Sequence, residues 1–144
     1  SKYCRTHHED QYKRLLKDPQ VHHFLAESGS ECLSFKAVLS EAGLSHAGAM
    51  YVAIDNFHKA APNIRRIFSE GIYEKYIHPK HATHKVDCLS KGCITTLEAN
   101  YKDGKEDVLN EAQKELLAVL EKPFKSGFLG TPEYQSYLVG GKLI

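Results

Sequence analysis

The residues from about Lys105 to Lys122 constrain the chain most strongly. Leu109, Ala112, Leu116, Val119 and Leu120 recur there at three- and four-residue intervals, the spacing of one buried stripe on an α-helix. The flanking residues agree with that reading. Asp103-Gly104 supplies a turn and an N-terminal cap, Glu106 and Asp107 sit where the helix dipole favours anions, and Pro123 makes Lys122 a natural stop.

A second periodic stretch runs from about Asn63 to Tyr76, with Pro62 placed for a helix start. Ile64, Ile67, Phe68, Ile72, Tyr73 and Tyr76 are expected to line one face of it. Met50, Ile54 and Phe57 give another helical face between Met50 and Lys59, interrupted at Ala61-Pro62. Shorter helices are expected around Tyr12, Leu15 and Leu16; around Val21, Phe24 and Leu25; around Phe35, Val38 and Leu39 before Gly43; and after Thr131-Pro132-Glu133, leading into Tyr134, Tyr137 and Leu138. Cys93-Ile94-Thr95-Thr96-Leu97 is the only β-branched run, and no stretch of good length alternates as a half-buried strand does. The expected fold class is therefore all-α, an irregular bundle of about eight or nine short helices rather than a repeat array.

A chain of 144 residues that is 42% hydrophobic and 26% charged suits a single domain spanning 1–144. Its 19 basic and 18 acidic side chains leave a net charge of +1, which argues against a nucleic-acid partner and against an anionic membrane surface. No apolar run approaches the roughly 20 residues that span a bilayer, and Ser1 to Asp10 lacks the apolar region of a signal peptide. A cytoplasmic protein without direct membrane insertion is expected. The missing initiator Met and the trailing Gly140-Gly141-Lys142-Leu143-Ile144 read as the ends of a domain cut from a longer protein. Cys4, Cys32, Cys88 and Cys93 show no metal-type pairing and are expected as free thiols.

Several blocks, in order, resemble the regulator of G-protein signalling (RGS) family. Asn110 to Lys122, followed by Phe128-Leu129 and Tyr134, is similar to its last long helix and closing helix. Ile72-Tyr73-Glu74-Lys75-Tyr76-Ile77, then Ala82 and Lys85-Val86-Asp87, is similar to its I-Y-x-x-F-I…A…x-V-N-L block. Phe35-Lys36-Ala37-Val38-Leu39 matches F-x-x-F-L, and Met50-Tyr51 falls where the family has Phe-Trp. The resemblance covers roughly residues 15 to 138 and implies an RGS-like fold.

The resemblance also implies a function. Family members bind the switch regions of an activated Gα subunit and hold them in the transition-state arrangement for GTP hydrolysis; Gα supplies its own arginine, so the domain is no enzyme itself. The positions matching the Gα-contact surface are Leu44, His46, Ala47, Asp87, Val119, Pro123, Phe124 and Gly127. Here the family's E-N pair becomes His46-Ala47, the Asn of V-N-L becomes Asp87, and the D-S pair with its following Arg becomes Pro123-Phe124 and Gly127. These replacements imply an interaction domain of G-protein signalling that binds Gα with weak or absent GTPase-activating activity. The alternatives are a competent activator working through divergent contacts, and a scaffold or trafficking module that binds a different protein. In the second case the small, apolar stretch Gly43 to Ala49, and Phe124 if exposed, would offer the contact.

His78, His81 and His84 sit at three-residue intervals with Cys88 and Cys93 nearby, but zinc sites want tight ligand pairs or an H-E-x-x-H helix. A solvated connection is expected, with no metal and no cofactor. Nothing around the four cysteines marks a nucleophile. Tyr73, Tyr76, Tyr134 and Tyr137 are expected to pack in the core.

Overall fold

The computed structural model describes residues 19–22, 24–25, 33–132 and 134, and no strand occurs among them. Five helices carry the architecture: α1 (Leu33–Glu41), α2 (Ser45–Lys59), α3 (Arg65–Ile72), α4 (Lys91–Asn100) and α5 (Asn110–Pro123). A four-residue turn of helix, Pro19–His22, precedes them. Short 3-10 turns (Pro62–Ile64, Tyr101–Asp103) and π-helical turns (Tyr73–Ile77, Phe124–Phe128) continue neighbouring helices. The all-α expectation stands, but among the described residues the principal helices number five rather than eight or nine. Tight and wide turns fuse segments that a sequence divides at Pro and Gly. The expected elements around Tyr12 to Leu16 and at Tyr137-Leu138 lie outside the described residues.

Helix boundaries moved for identifiable reasons. Gly43, at φ 74°, ends α1 in the left-handed region that favours glycine. The Leu44 N–H then bonds back to the Leu39 carbonyl at 2.8 Å, and α2 starts at Ser45, five residues before Met50. Ser45 to Ala49 is thus helix and not loop. Conversely, α5 starts only at Asn110: residues 105–109 make successive turns, with the Val108 N–H on the Lys105 carbonyl at 3.2 Å. The β-branched run Cys93 to Leu97 lies inside α4. Ser90 caps that helix by accepting the Cys93 N–H at 3.2 Å, while its own N–H and hydroxyl donate to the Glu115 carboxylate at 2.7 and 2.8 Å. One serine therefore both starts α4 and fastens it to α5.

The core centres on α2, whose Met50, Tyr51, Ile54 and Phe57 are completely buried. Leu116 and Leu120 of the α5 stripe are fully buried with them, whereas Val119 is only half-buried. An aromatic cluster closes one end, with Phe24 4.9 Å from Phe128, Phe35 5.2 Å from Phe124, and Phe128 5.7 Å from Tyr134 between ring centroids. Such ring pairs add about 0.5–1.5 kcal/mol each beyond area burial. Tyr73, Tyr76 and Tyr134 are buried as expected, and Tyr137 lies outside the described residues.

α3 is rotated from the expected orientation. Ser69, Ile72, Tyr73 and Tyr76 face inward, while Ile64, Ile67 and Phe68 are exposed, Ile67 by 67%. The Ser69 hydroxyl donates to the Tyr101 carbonyl at 2.6 Å, and Tyr73 stacks on Tyr101 with centroids 4.0 Å apart. Gly104 (φ 65°) lies so close that a Cβ there would sit 2.9 Å from the Arg66 backbone. These contacts fix the helix about its axis and turn its large aliphatics to solvent.

Candidate functional site

Eight positions carried a functional expectation, and the fold divides them. His46, in the first turn of α2, is exposed, and its ring lies 4.8 Å from that of His84, tilted by 60°. His84 belongs to the connection between the π turn Tyr73–Ile77 and α4, which folds back on that turn: the His84 N–H bonds the Lys75 carbonyl at 3.0 Å and the Val86 N–H the Tyr76 carbonyl at 2.9 Å. Val86 is buried, and Asp87 directly after it is exposed. The histidine pair thus joins the start of α2 to the connection carrying Asp87. Neither sequence periodicity nor motif singled out this pairing, because it depends on how two distant turns meet.

The remaining positions are withdrawn from solvent to different degrees. Leu44 is half-buried at the N-terminal end of α2, and Ala47 is 4% exposed. At the end of α5, Val119 and Gly127 are half-buried, Pro123 is buried, and Phe124 is 1% exposed within the aromatic cluster. The condition set for Phe124 as a contact, that it be exposed, is not met: its ring fills the core between Phe35 and Phe128. Gly127 stands against α1, where a Cβ would meet Val38 Cγ1 at 2.8 Å. Only His46 and Asp87 among the eight present an exposed side chain.

An apolar groove of about 350 Å³ runs between α1 and α2, lined by Leu25, Leu39, Gly48, Ala49 and Val52, with Lys36 and Ser45 at its polar edge. Gly48 permits the helices to approach there, since a Cβ would lie 2.9 Å from Leu39 Cδ1.

The family model of the regulator of G protein signaling domain matches residues 11–137. The chain belongs to this family. No curated protein matches it. RGS domains accelerate the GTPase of Gα subunits without being enzymes themselves, so this chain is assigned to the regulation of G-protein signalling. No helix among the described residues of this RGS domain is long and apolar enough to cross a membrane.

The histidine-rich connection is largely exposed, as expected of a solvated segment, and is held by hydrogen bonds of its own. Ligand atoms of Glu74, His78 and His81 lie within 4.8 Å of one another, which is close enough to invite a metal. His78 Nδ1, however, accepts the N–H groups of Lys80 and His81 at 3.0 and 3.1 Å, and the His78 and His81 rings stack at 4.1 Å, inclined by 3°. Parallel rings aim their lone pairs side by side, and a bond-accepting Nδ1 leaves Nε2 carrying the proton. His78 stabilises the turn in this arrangement and would have to abandon it to bind an ion. Among the described residues, Cys88 and Cys93 are harder to ionise than ordinary thiols. Burial pushes the Cys93 thiol up to about 11, with Glu115 and Glu111 adding to the effect, and burial likewise raises Cys88.

Proposed function

We propose that this RGS domain binds a Gα subunit through the surface around His46, Asp87 and the end of α5, with weak or absent acceleration of GTP hydrolysis. The observation that carries this reading is the burial at the substituted positions. Where the resemblance calls for an amide, a hydroxyl and a guanidinium, the chain has Ala47 at 4% exposure, Phe124 at 1%, and Gly127 packed on Val38. A catalytic effect on Gα requires polar groups held against the switch loops in the transition state, and losing one preorganised donor of that kind costs about 100- to 1,000-fold in rate in enzymes. Asp87 offers a carboxylate that accepts but cannot donate, facing a phosphate-bearing partner. The apolar groove between α1 and α2 supplies contact area that does not depend on those lost groups.

The test is binding to a panel of Gα subunits in the GDP, GDP-aluminium-fluoride and GTP-analogue states, with single-turnover hydrolysis alongside. Binding without acceleration is the expected result. Fluoride-state selectivity with faster hydrolysis would establish a competent activator using divergent contacts, and no binding in any state would leave a scaffold role.

A further inference from the structure

His78 is fastened to the backbone around it at three points. Its N–H closes the π turn Tyr73–Ile77 by donating to the Tyr73 carbonyl at 2.9 Å, and its own carbonyl accepts the Ala82 N–H at 3.2 Å. The ring supplies the third: Nδ1 accepts the N–H groups of Lys80 and His81 at 3.0 and 3.1 Å, both from the turn that follows Pro79. A nitrogen in that role carries no proton. The half-buried imidazole also stacks on His81, centroids 4.1 Å apart, and meets Tyr73 edge-on at 5.8 Å.

We propose that His78 is a proton-operated latch on the connection between the π turn and α4: neutral, it pins the turn over residues 79–82, and protonated, it releases that turn. Imidazolium bears N–H on both nitrogens, so a charged ring would aim a donor at two amide donors and has to swing away. The charged groups around it favour the swing. The Glu74 carboxylate on the π turn, a nitrogen of His78 and a nitrogen of His81 lie within 4.8 Å of one another, so Glu74 attracts the new charge. A charged His81, whose Nδ1 is 3.7 Å from Glu74, would repel a charged His78 across the stack and part the rings. Tyr73 gives no countercharge, since burial, then Glu98, Tyr101 and Glu74, hold its hydroxyl above the usual range. Lys75 keeps its ammonium 5.5 Å from the Tyr76 ring, and Lys80 is exposed. The bonds from the His84 and Val86 N–H groups to the π turn do not involve the His78 ring, so release alters the turn and not the fold. The same connection carries His84, whose ring meets His46, and the exposed Asp87. On the reading that this surface meets Gα, on which this last step rests, acid weakens binding by loosening the segment that presents it.

Two-dimensional NMR of the backbone amides from about pH 7.5 to about 5.5, with the His78 ring protons followed alongside, tests the latch. The Lys80 and His81 amide signals are expected to move with the His78 ring and to exchange with solvent faster in acid. His78→Asn places an uncharged side-chain oxygen within reach of the same amides, so there they should keep their positions and protection throughout. Amides that ignore the His78 ring, or that respond equally in His78→Asn, would overturn the latch. Gα binding by the same two proteins tests the consequence: acidification should weaken the unaltered chain about fivefold more than His78→Asn. Equal losses would overturn the regulation of binding. No Gα binding at any pH, with the amide response intact, would overturn the Gα reading while supporting the latch.

Discussion

Gly127 lies against Val38 so closely that a Cβ at residue 127 would stand 2.8 Å from Val38 Cγ1. The family's arginine position is thereby bound to packing between α1 and the turn that follows α5. Replacing Gly127 by Ala gains about 1 kcal/mol of helix propensity but forces a stiff β-branched neighbour to move, at about 1–3 kcal/mol. Gly127→Ala should therefore destabilise the domain by about 1 kcal/mol, and adding Val38→Ala should relieve that clash. Urea midpoints of the two single variants and the double variant, combined as a cycle, would show the coupling.

Restoring the family's serine should fail for a different reason. Phe124 is buried among four aromatic rings, so Phe124→Ser loses a core side chain and buries a hydroxyl, together costing about 4 kcal/mol or more. Thermal denaturation should show a large loss of stability, without any appearance of GTPase-activating activity in single-turnover assays.

The polar side of the core gives a third expectation. His22 Nδ1 lies 2.7 Å from the Tyr51 hydroxyl, His22 Nε2 lies 3.6 Å from Asp55, and the Asp55 carboxylate pairs with Lys59 at 2.8 Å. Tyr51→Phe should cost about 1–2 kcal/mol by stripping the buried imidazole of a partner. Asp55→Ala should cost about 1–3 kcal/mol, less than a fully enclosed ion pair would, because Lys59 reaches solvent. Chemical denaturation of each variant measures both values.

Stability should also decline in alkali. Cys93 is raised from an ordinary value of 9.0 to about 11, Cys88 is raised from the same value, and Tyr73 is raised above 10.0, in each case chiefly by burial. A group harder to ionise in the folded chain than in the unfolded one contributes its full stability below its unfolded value. That contribution is lost as pH climbs from about 9 through about 11 for Cys93. Urea midpoints over this range should fall, with less decline in Cys93→Ala. Alkylation of Cys93 at neutral pH should be slow in the native state and fast in urea.

Much of the architecture was legible in the chain because periodicity reports burial directly: the α5 stripe and the core face of α2 came from spacing alone. α3 shows the limit. Its inward residues Ser69, Ile72, Tyr73 and Tyr76 also follow helical spacing, but a serine at the first of them hid the register and Ile67 and Phe68 drew the face to the wrong side. The rotation is decided by Tyr101 and Gly104, more than thirty residues downstream of Ser69. α4 was obscured by paired threonines whose β-branching suggests strand. At the candidate site the residue substitutions could be read off the chain, whereas the burial of Ala47 and Phe124 and the meeting of His46 with His84 arise only from tertiary packing.

The aromatic cluster joins Phe24 to Tyr134, so its two outermost members are separated by nearly the whole domain. During synthesis this end of the core has to wait: Phe24 and Phe35 leave the ribosome long before Phe124, Phe128 and Tyr134 exist to cover them. The growing chain therefore carries an unfinished apolar end until the last turn emerges, and premature termination upstream of Phe124 would yield an aggregation-prone species rather than a smaller stable fold.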